Sequence, residues 1–343
     1  MLRRYRRDLH RIPETDHHLP KTTAYLRSVL EPLGCKLFSP CEGALCAYFD
    51  LGKAQTTAFR ADMDALPITE ATNVPYASAH EGFMHACGHD GHMAILLGLA
   101  QELSGSKSNV LLIFQPAEET TGGAKAICDS GILEKYGVKS IYALHLWPEA
   151  EKHTVSASVH GMMARSSEVT VEFFGKSAHI AKADLGEDAL LATAKFVTEA
   201  KKLEFSGVLG FGKLTSGKVR NAVSDYSRLE GSLRCHDDAV FAQITQRLHE
   251  LLPKGAKLTI SEGYPPMINS EALLQKAQQY FPITPAAPSY LTDDFSEFLR
   301  RVPGIYFRLG IGQGALHSPN FDFDEDVLAT GVRLFRTLLL EDV

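Results

Sequence analysis

Between Met84 and His92 the chain reads MHACGHDGH, which gathers a thiol, four side chains with ring nitrogens or a carboxylate, and two glycines into nine residues. Cys87 and His89 stand two apart, a spacing that lets a thiolate and an imidazole reach one ion from an extended backbone. A buried thiol and a helix-capping Asp90 fit the same letters. A second cluster, FQPAEET, puts Glu118 and Glu119 directly after the apolar run VLLIF. At the carboxyl end of a strand such a pair stands in the usual crevice of an open α/β sheet. Its two side chains point in different directions, so one can bind metal while the other meets water. A solvated acidic loop is the plain alternative.

His145 ends the apolar stretch YALHLWP, and His317 lies in GALHSPNF near the C-terminus. Alone, each reads as a hydrogen-bonded histidine at a strand end. Asp62 and Asp64, two residues apart in AFRADMDALP, suit a turn or a helix cap equally well. Taken together, one thiolate, three imidazoles and paired carboxylates at strand ends make a better metal set than a coincidence. Imidazole-rich, borderline-soft ligation suits zinc, with manganese or cobalt where carboxylate and water share the shell.

The elements that must position these groups fall into two rhythms. Up to about residue 160, apolar strands (57–60, 110–114 and 141–144) alternate with helical patterns (22–33, 93–103 and 123–130), as in a sheet covered by helices. From Ser167 the order becomes strand (EVTVEFF), helix (188–203), two strands (GVLGFGKL and SRLEGSLRC), helix (238–252) and strand (KLTISE). That βαββαβ unit predicts a small sheet with two helices. After Pro265 and Pro266 the first rhythm resumes, with a helix over 271–280, the strand GIYFRL and a closing helix over 324–340. Polar ligand candidates lie on both sides of the middle unit, so it reads as an insertion. The expected boundaries are residues 1–165 and 267–343 for one α/β domain and 166–266 for the inserted one.

Bulk properties narrow the partners. A net charge of −6 offers no broad basic patch for nucleic acid or an anionic membrane. The basic run Arg3, Arg4, Arg6, Arg7 alternates with Leu2, Tyr5 and Leu9 and predicts a solvated face of an amphipathic helix. No window approaches the ~20 apolar residues of a membrane span, and no signal-peptide core is evident, so a cytoplasmic protein is expected. Six scattered cysteines in a chain of 343 residues are too few for a disulfide framework and predict free thiols.

The stretches RRDLHRIPE, RADMDALPI, MHACGHDGHMA, IFQPAEE with its GGAK, ALHLWP, TDDF and LHSPNF occur in one order from residue 6 to beyond 317. Together they resemble the amidohydrolase branch of the metallo-aminoacylase and carboxypeptidase superfamily, which includes hippurate hydrolases, auxin-conjugate hydrolases and N-acetyldiaminopimelate deacetylases. The resemblance implies a di-metal exopeptidase-like α/β catalytic domain with an inserted βαββαβ lid and dimerisation domain. It further implies two divalent ions (Zn, Mn or Co). Cys87 would bridge them, His89 and His145 would complete one shell, and Glu119 and His317 the other. By the same resemblance Asp64 orients His89 or the metal centre, and Glu118 is the general base. His179, in FFGKSAHIA, supplies an oxyanion donor, often across a homodimer, and Asn221 and Arg234 face a substrate carboxylate. The sequence departs from the family after His179, where HIAKADLGED lacks the usual Pro-His, and after His145, where PEAEKHTVSA lacks a glycine-bearing turn.

The reaction so implied is cleavage of the amide of an N-acyl, chiefly N-acetyl, amino acid, with N-acetyl-diaminopimelate a named possibility. A carboxylate beside a metal site can take a proton from water near neutral pH and return it to the departing nitrogen. Three other readings of the same residues stay open: a di-metal dipeptidase or carboxypeptidase, a thiol hydrolase with Cys87 as nucleophile, and a non-catalytic, metal-dependent regulatory protein.

Overall fold

The computed structural model describes residues 1–343. The chain opens with α1 (Leu2–His10), α2 (Pro20–Leu30), β1 (Lys36–Phe38), β2 (Leu45–Phe49) and β3 (Thr56–Asp62). It continues through α3 (His89–Ala100), β4 (Asn109–Gln115), the short α4 (Ala124–Asp129) and α5 (Ile132–Lys135), β5 (Val138–Trp147) and β6 (Val155–Ser156). The middle of the chain forms β7 (Arg165–Phe174), α6 (Ala189–Ala200), β8 (Gly207–Ser216), β9 (Tyr226–Cys235), α7 (Asp238–Glu250) and β10 (Lys257–Ile260). Last come α8 (Glu271–Ala277), α9 (Ser296–Leu299), β11 (Gly304–Gly310) and α10 (Val327–Leu340). Two units result: Met1–Met162 with Ile268–Ala287 and Asp294–Val343, and Met163–Met267 with Pro288–Asp293.

The first unit holds a seven-stranded sheet in the order β1-β2-β4-β3-β5-β11-β6. Its centre, β4-β3-β5-β11, is parallel, and antiparallel strands close both edges. Every residue of β3, β4 and β11 is buried, which is why these strands read as unbroken apolar runs instead of alternating ones. Since β4 and β5 flank β3 on opposite sides, the chain reverses its direction of winding there. The carboxyl ends of such strands border the crevice where open α/β sheets place their ligands.

All twelve residues of α3 are buried, so this helix has no solvent face. It begins four residues earlier than its apolar periodicity predicts, and His89, Asp90 and His92 therefore belong to its first turn. The Cys87-to-His89 link is thus a turn into a helix, not the extended segment expected. Gly88 makes the turn at φ +85°, and a Cβ on Gly91 would come within 2.8 Å of the Leu146 side chain. Both glycines are needed for α3 to start beside the end of β5.

The expectation of a solvated basic face on α1 holds for Arg3, Arg4 and Arg7 and fails for Arg6. Arg6 is fully buried, its Nε 2.8 Å from Asp90 Oδ2 and its Nη2 2.7 Å from Asp322 Oδ1, while Arg7 pairs with Glu325 and Arg3 with Asp326. A charge excluded from water must be paired, and Asp90 supplies that partner from α3.

The second unit realises the βαββαβ order, with an antiparallel sheet β10-β7-β9-β8. Its core is formed by Val169, Val171, Phe173, Leu229 and Leu233 from alternate strand positions, packed with Phe196 of α6 and Ile244 and Leu248 of α7. No helix of the chain is long and apolar enough to cross a membrane.

Candidate metal centre and active site

Five side chains converge at the carboxyl ends of the parallel strands. Cys87 arrives from the turn into α3, His89 from its first residue, Glu119 from the loop after β4, His145 from the end of β5 and His317 from the loop after β11. The donor atoms of Cys87, His89 and His145 all lie within 4.8 Å of one another, and so do those of Cys87, Glu119 and His317. The two triplets share Cys87. His89, Glu118 and Glu119 form a third group of the same compactness.

Hydrogen bonds fix which nitrogens face this centre. His89 Nδ1 is 2.8 Å from the Asp64 carbonyl, and His145 Nδ1 is 2.7 Å from the Leu146 carbonyl. A carbonyl only accepts, so in both rings Nδ1 carries the proton and Nε2 keeps its lone pair. His145 Nε2 sits 3.4 Å from Cys87 Sγ and accepts from its thiol. His89 Nε2 and Glu119 Oε1 are buried without a hydrogen bond, although His317 Nε2 stands 3.2 Å from that carboxylate oxygen. Buried lone pairs left in this condition are costly unless an ion satisfies them, so the residues present fit a pair of divalent cations.

Electrostatics point the same way. Burial pushes the Cys87 thiol well above its ordinary range, and the carboxylates of Glu119 and Glu118 push it further. Without a cation this sulfur stays protonated, which makes it a poor nucleophile and a good ligand only in company with positive charge. Burial and the neighbouring His92 lower His145 to about 3, keeping it neutral. For His89, burial is outweighed by Asp62, Glu119 and Asp64, and its pKa rises.

The loop that carries the two glutamates is held from three sides. Asp64 Oδ1 and Oδ2 accept the backbone N–H groups of Glu118 and Glu119, each at 3.0 Å. Asp64 thereby meets His89 through its carbonyl and the glutamate loop through its carboxylate, whose pKa burial lifts to about 6 against the pull of His89 and those two amides. Thr120 donates to Asp16 at 2.8 Å, and Thr121 lies 3.2 Å from His17 Nε2. Ala117, just before Glu118, and His317 both adopt left-handed backbone conformations, at φ 57° and 61°. Non-glycine residues hold such angles only where their surroundings impose them, commonly at functional sites.

Sequence reasoning left Arg60, His92, Gln115 and Asp294 without roles. Arg60 donates to Asp62 at 2.7 Å and to Gln115 at 2.9 Å, and Gln115 and the start of α4 bond the two oxygens of Asp294. His92 bonds Asp62 at 2.6 Å. The letters R, Q and D of RADMD, FQPAEE and TDDF were the available signal, but their pairing is a property of the tertiary structure.

The remaining expected site residues lie in the inserted unit. His179 is exposed, pairs with Ala222 and accepts the N–H of Ala181, and Asn221 accepts the N–H of Ile180, so the two sit side by side. Arg234, on β9, is half-buried. Burial lowers its pKa, and no carboxylate opposes that shift.

This fold and this centre define a metal-dependent amidohydrolase. A family model described as peptidase family M20/M25/M40 matches residues 58–341, and the chain belongs to that family. It is 34% identical over 358 residues to an N-acetyldiaminopimelate deacetylase of Oceanobacillus iheyensis, covering 96% of either chain. A Bacillus subtilis protein of the same name is 32% identical, covering 96% of this chain and 95% of its own. Among solved structures, the YXEP protein of Bacillus subtilis, described as a dinuclear metal binding peptidase of the M20 family, superposes with a TM-score of 0.88 at 26% identity, covering 99% and 96% of the two chains.

Proposed function

We propose that this chain deacylates N-acyl amino acids, chiefly N-acetyl ones, and that N-acetyl-diaminopimelate is the first substrate to test. The observation that carries the reading is the pair of ligand triplets sharing Cys87, with Glu118 at their edge. The names of the full-length relatives support the acetylated diaminopimelate.

In this reading Cys87, His89 and His145 would hold one divalent cation and Cys87, Glu119 and His317 the other, as zinc, manganese or cobalt. Such ions would supply Lewis acidity and a water that ionises near neutral pH. Glu118 takes the proton from the attacking water as the new C–O bond forms at the amide carbonyl. The same carboxyl then gives that proton to the nitrogen as the C–N bond breaks, since an amide anion leaves poorly. The products are a carboxylate and a free amine. His179 is assigned as the donor to the developing oxyanion, within a homodimer. Arg234 and Asn221 are assigned to the substrate's carboxylate, and an arginine without a countercharge is ready for a two-pronged contact of that kind.

The test is amine release from a panel of N-acetyl, N-benzoyl and dipeptide substrates, using chelated protein and samples restored with zinc, manganese or cobalt. Metal-restored release of amine from N-acetyl substrates is expected. Faster turnover of dipeptides would instead make the chain a peptidase, and activity that survives chelation would sink the metal reading.

A further inference from the structure

His92 has no assigned part in the chemistry, yet it lies between two of the proposed ligands. Its ring centre is 5.4 Å from that of His89 and 4.7 Å from that of His145. Asp62, His89 and His92 themselves form a compact group of donor atoms. His92 nevertheless has no lone pair to offer an ion. Its Nε2 accepts the N–H of Leu146 at 3.0 Å, so Nδ1 carries the proton and donates it to Asp62 Oδ1 at 2.6 Å.

We propose that His92 is a positioning residue that prepares both imidazoles of the Cys87–His89–His145 triplet, one through each of its nitrogens. On one side it occupies Asp62. That carboxylate lies 3.7 Å from His89 Nε2, close enough to compete for the nitrogen a metal needs. The oxygen nearer His89, Oδ2, is held by Arg60 at 2.7 Å, and His92 holds Oδ1 at 2.6 Å, which fixes the rotation of the carboxylate between them. On the other side it anchors the end of β5. The pairing of β3 with β5 stops at Ala143, which leaves the Leu146 N–H without a strand partner on that side, and His92 Nε2 takes its place. The carbonyl of the same Leu146 receives His145 Nδ1 and thereby fixes the ring whose Nε2 points at Cys87. Groups that orient ligands in this way typically alter metal affinity about 10-fold to 100-fold when removed.

The proposal rests on the metal reading above, and the experiment separates the two. Zinc affinity is measured by competition with a chromophoric chelator, and the visible spectrum of the cobalt form is recorded, for the unaltered chain and for His92→Asn and His92→Gln. Asparagine keeps a donor for Asp62 and loses the Leu146 bond, while glutamine keeps an acceptor for Leu146 and loses Asp62. Each variant is expected to bind zinc about 10-fold to 100-fold more weakly and to shift the cobalt bands, and the metal-free protein should melt lower because a buried group has lost its partner. Unchanged affinity and spectrum in both folded variants would overturn the role of His92. No zinc binding by the unaltered chain would overturn the metal reading and this one with it.

Discussion

At the scale of single residues, the proposed centre works by withholding hydrogen bonds. His89 and His145 spend their N–H groups on backbone carbonyls, and Cys87 is raised out of the nucleophilic range by burial and by Glu119 and Glu118. Glu118 is the carboxylate proposed to move protons. Glu118→Gln keeps the shape and removes the base, so kcat is expected to fall about 100-fold to 10,000-fold. Metal content measured by atomic emission should stay at the level of the unaltered chain, and a variant with normal turnover would dismiss Glu118 as the base. A second prediction concerns His10, whose Nδ1 and Nε2 lie 2.8 Å from Asp90 and 3.3 Å from Glu70. Burial opposes its charge, but the two carboxylates prevail and raise its pKa from 6.5 to about 9. The folded state therefore holds the proton more tightly than the unfolded chain. This contribution to stability is complete below about pH 6.5 and is lost as pH climbs through about 9, amounting to about 3 kcal/mol at most. Urea midpoints for the unaltered chain should fall between pH 7 and pH 9.5, and His10→Gln should flatten that decline. An equal decline in both proteins would exclude His10 as its source.

At the scale of elements, the sequence is most legible where burial is complete and least where charge and packing disagree. The runs VLLIF, IYAL and GIYFRL identified three central strands because a parallel sheet covered on both faces needs apolar residues at every position. β1, three residues long, left no comparable mark, whereas β2 (LCAYF) is apolar at all five positions and carried a signal that the sequence reading passed over. Arg6 was misread because a basic helix face is nearly always solvated, and only the fold brings Asp90 and Asp322 to it. The first turn of α3 escaped the periodicity because it is built of the histidines and aspartate of the site. The ligand residues themselves were legible as letters. Their division into two triplets sharing one sulfur is what the resemblance implied, and two compact donor groups of that composition occur in the fold. The turn between Cys87 and His89 is where element and site meet, and Gly88→Ala tests it. A left-handed alanine costs on the order of 1–2 kcal/mol, and its Cβ would press to 3.1 Å on Leu146. A lower melting temperature together with weaker zinc binding is expected; loss of stability alone would mean that the turn serves folding and not the ligands.

At the scale of the whole molecule, the insertion was legible as a change of rhythm, from widely spaced buried strands to βαββαβ, because the second unit's sheet buries only one face and its strands alternate. What rhythm does not reveal is which chain's insert serves which site. His179 and Asn221 are neighbours within that unit, and Glu118 belongs to the other. If His179 acts on the site of a partner subunit, two inactive variants complement each other. Co-expressed Glu118→Gln and His179→Ala chains form mixed dimers, in which the His179→Ala subunit keeps its own Glu118 and receives an intact His179 from its partner. One of the two sites in each mixed dimer is then whole. Random pairing makes about half of all dimers mixed, so the preparation should recover roughly a quarter of the activity of the unaltered protein. If His179 serves its own chain, the Glu118→Gln subunit lacks its base and the other lacks its donor. Neither site is then whole, and activity stays at the level of the two variants measured separately.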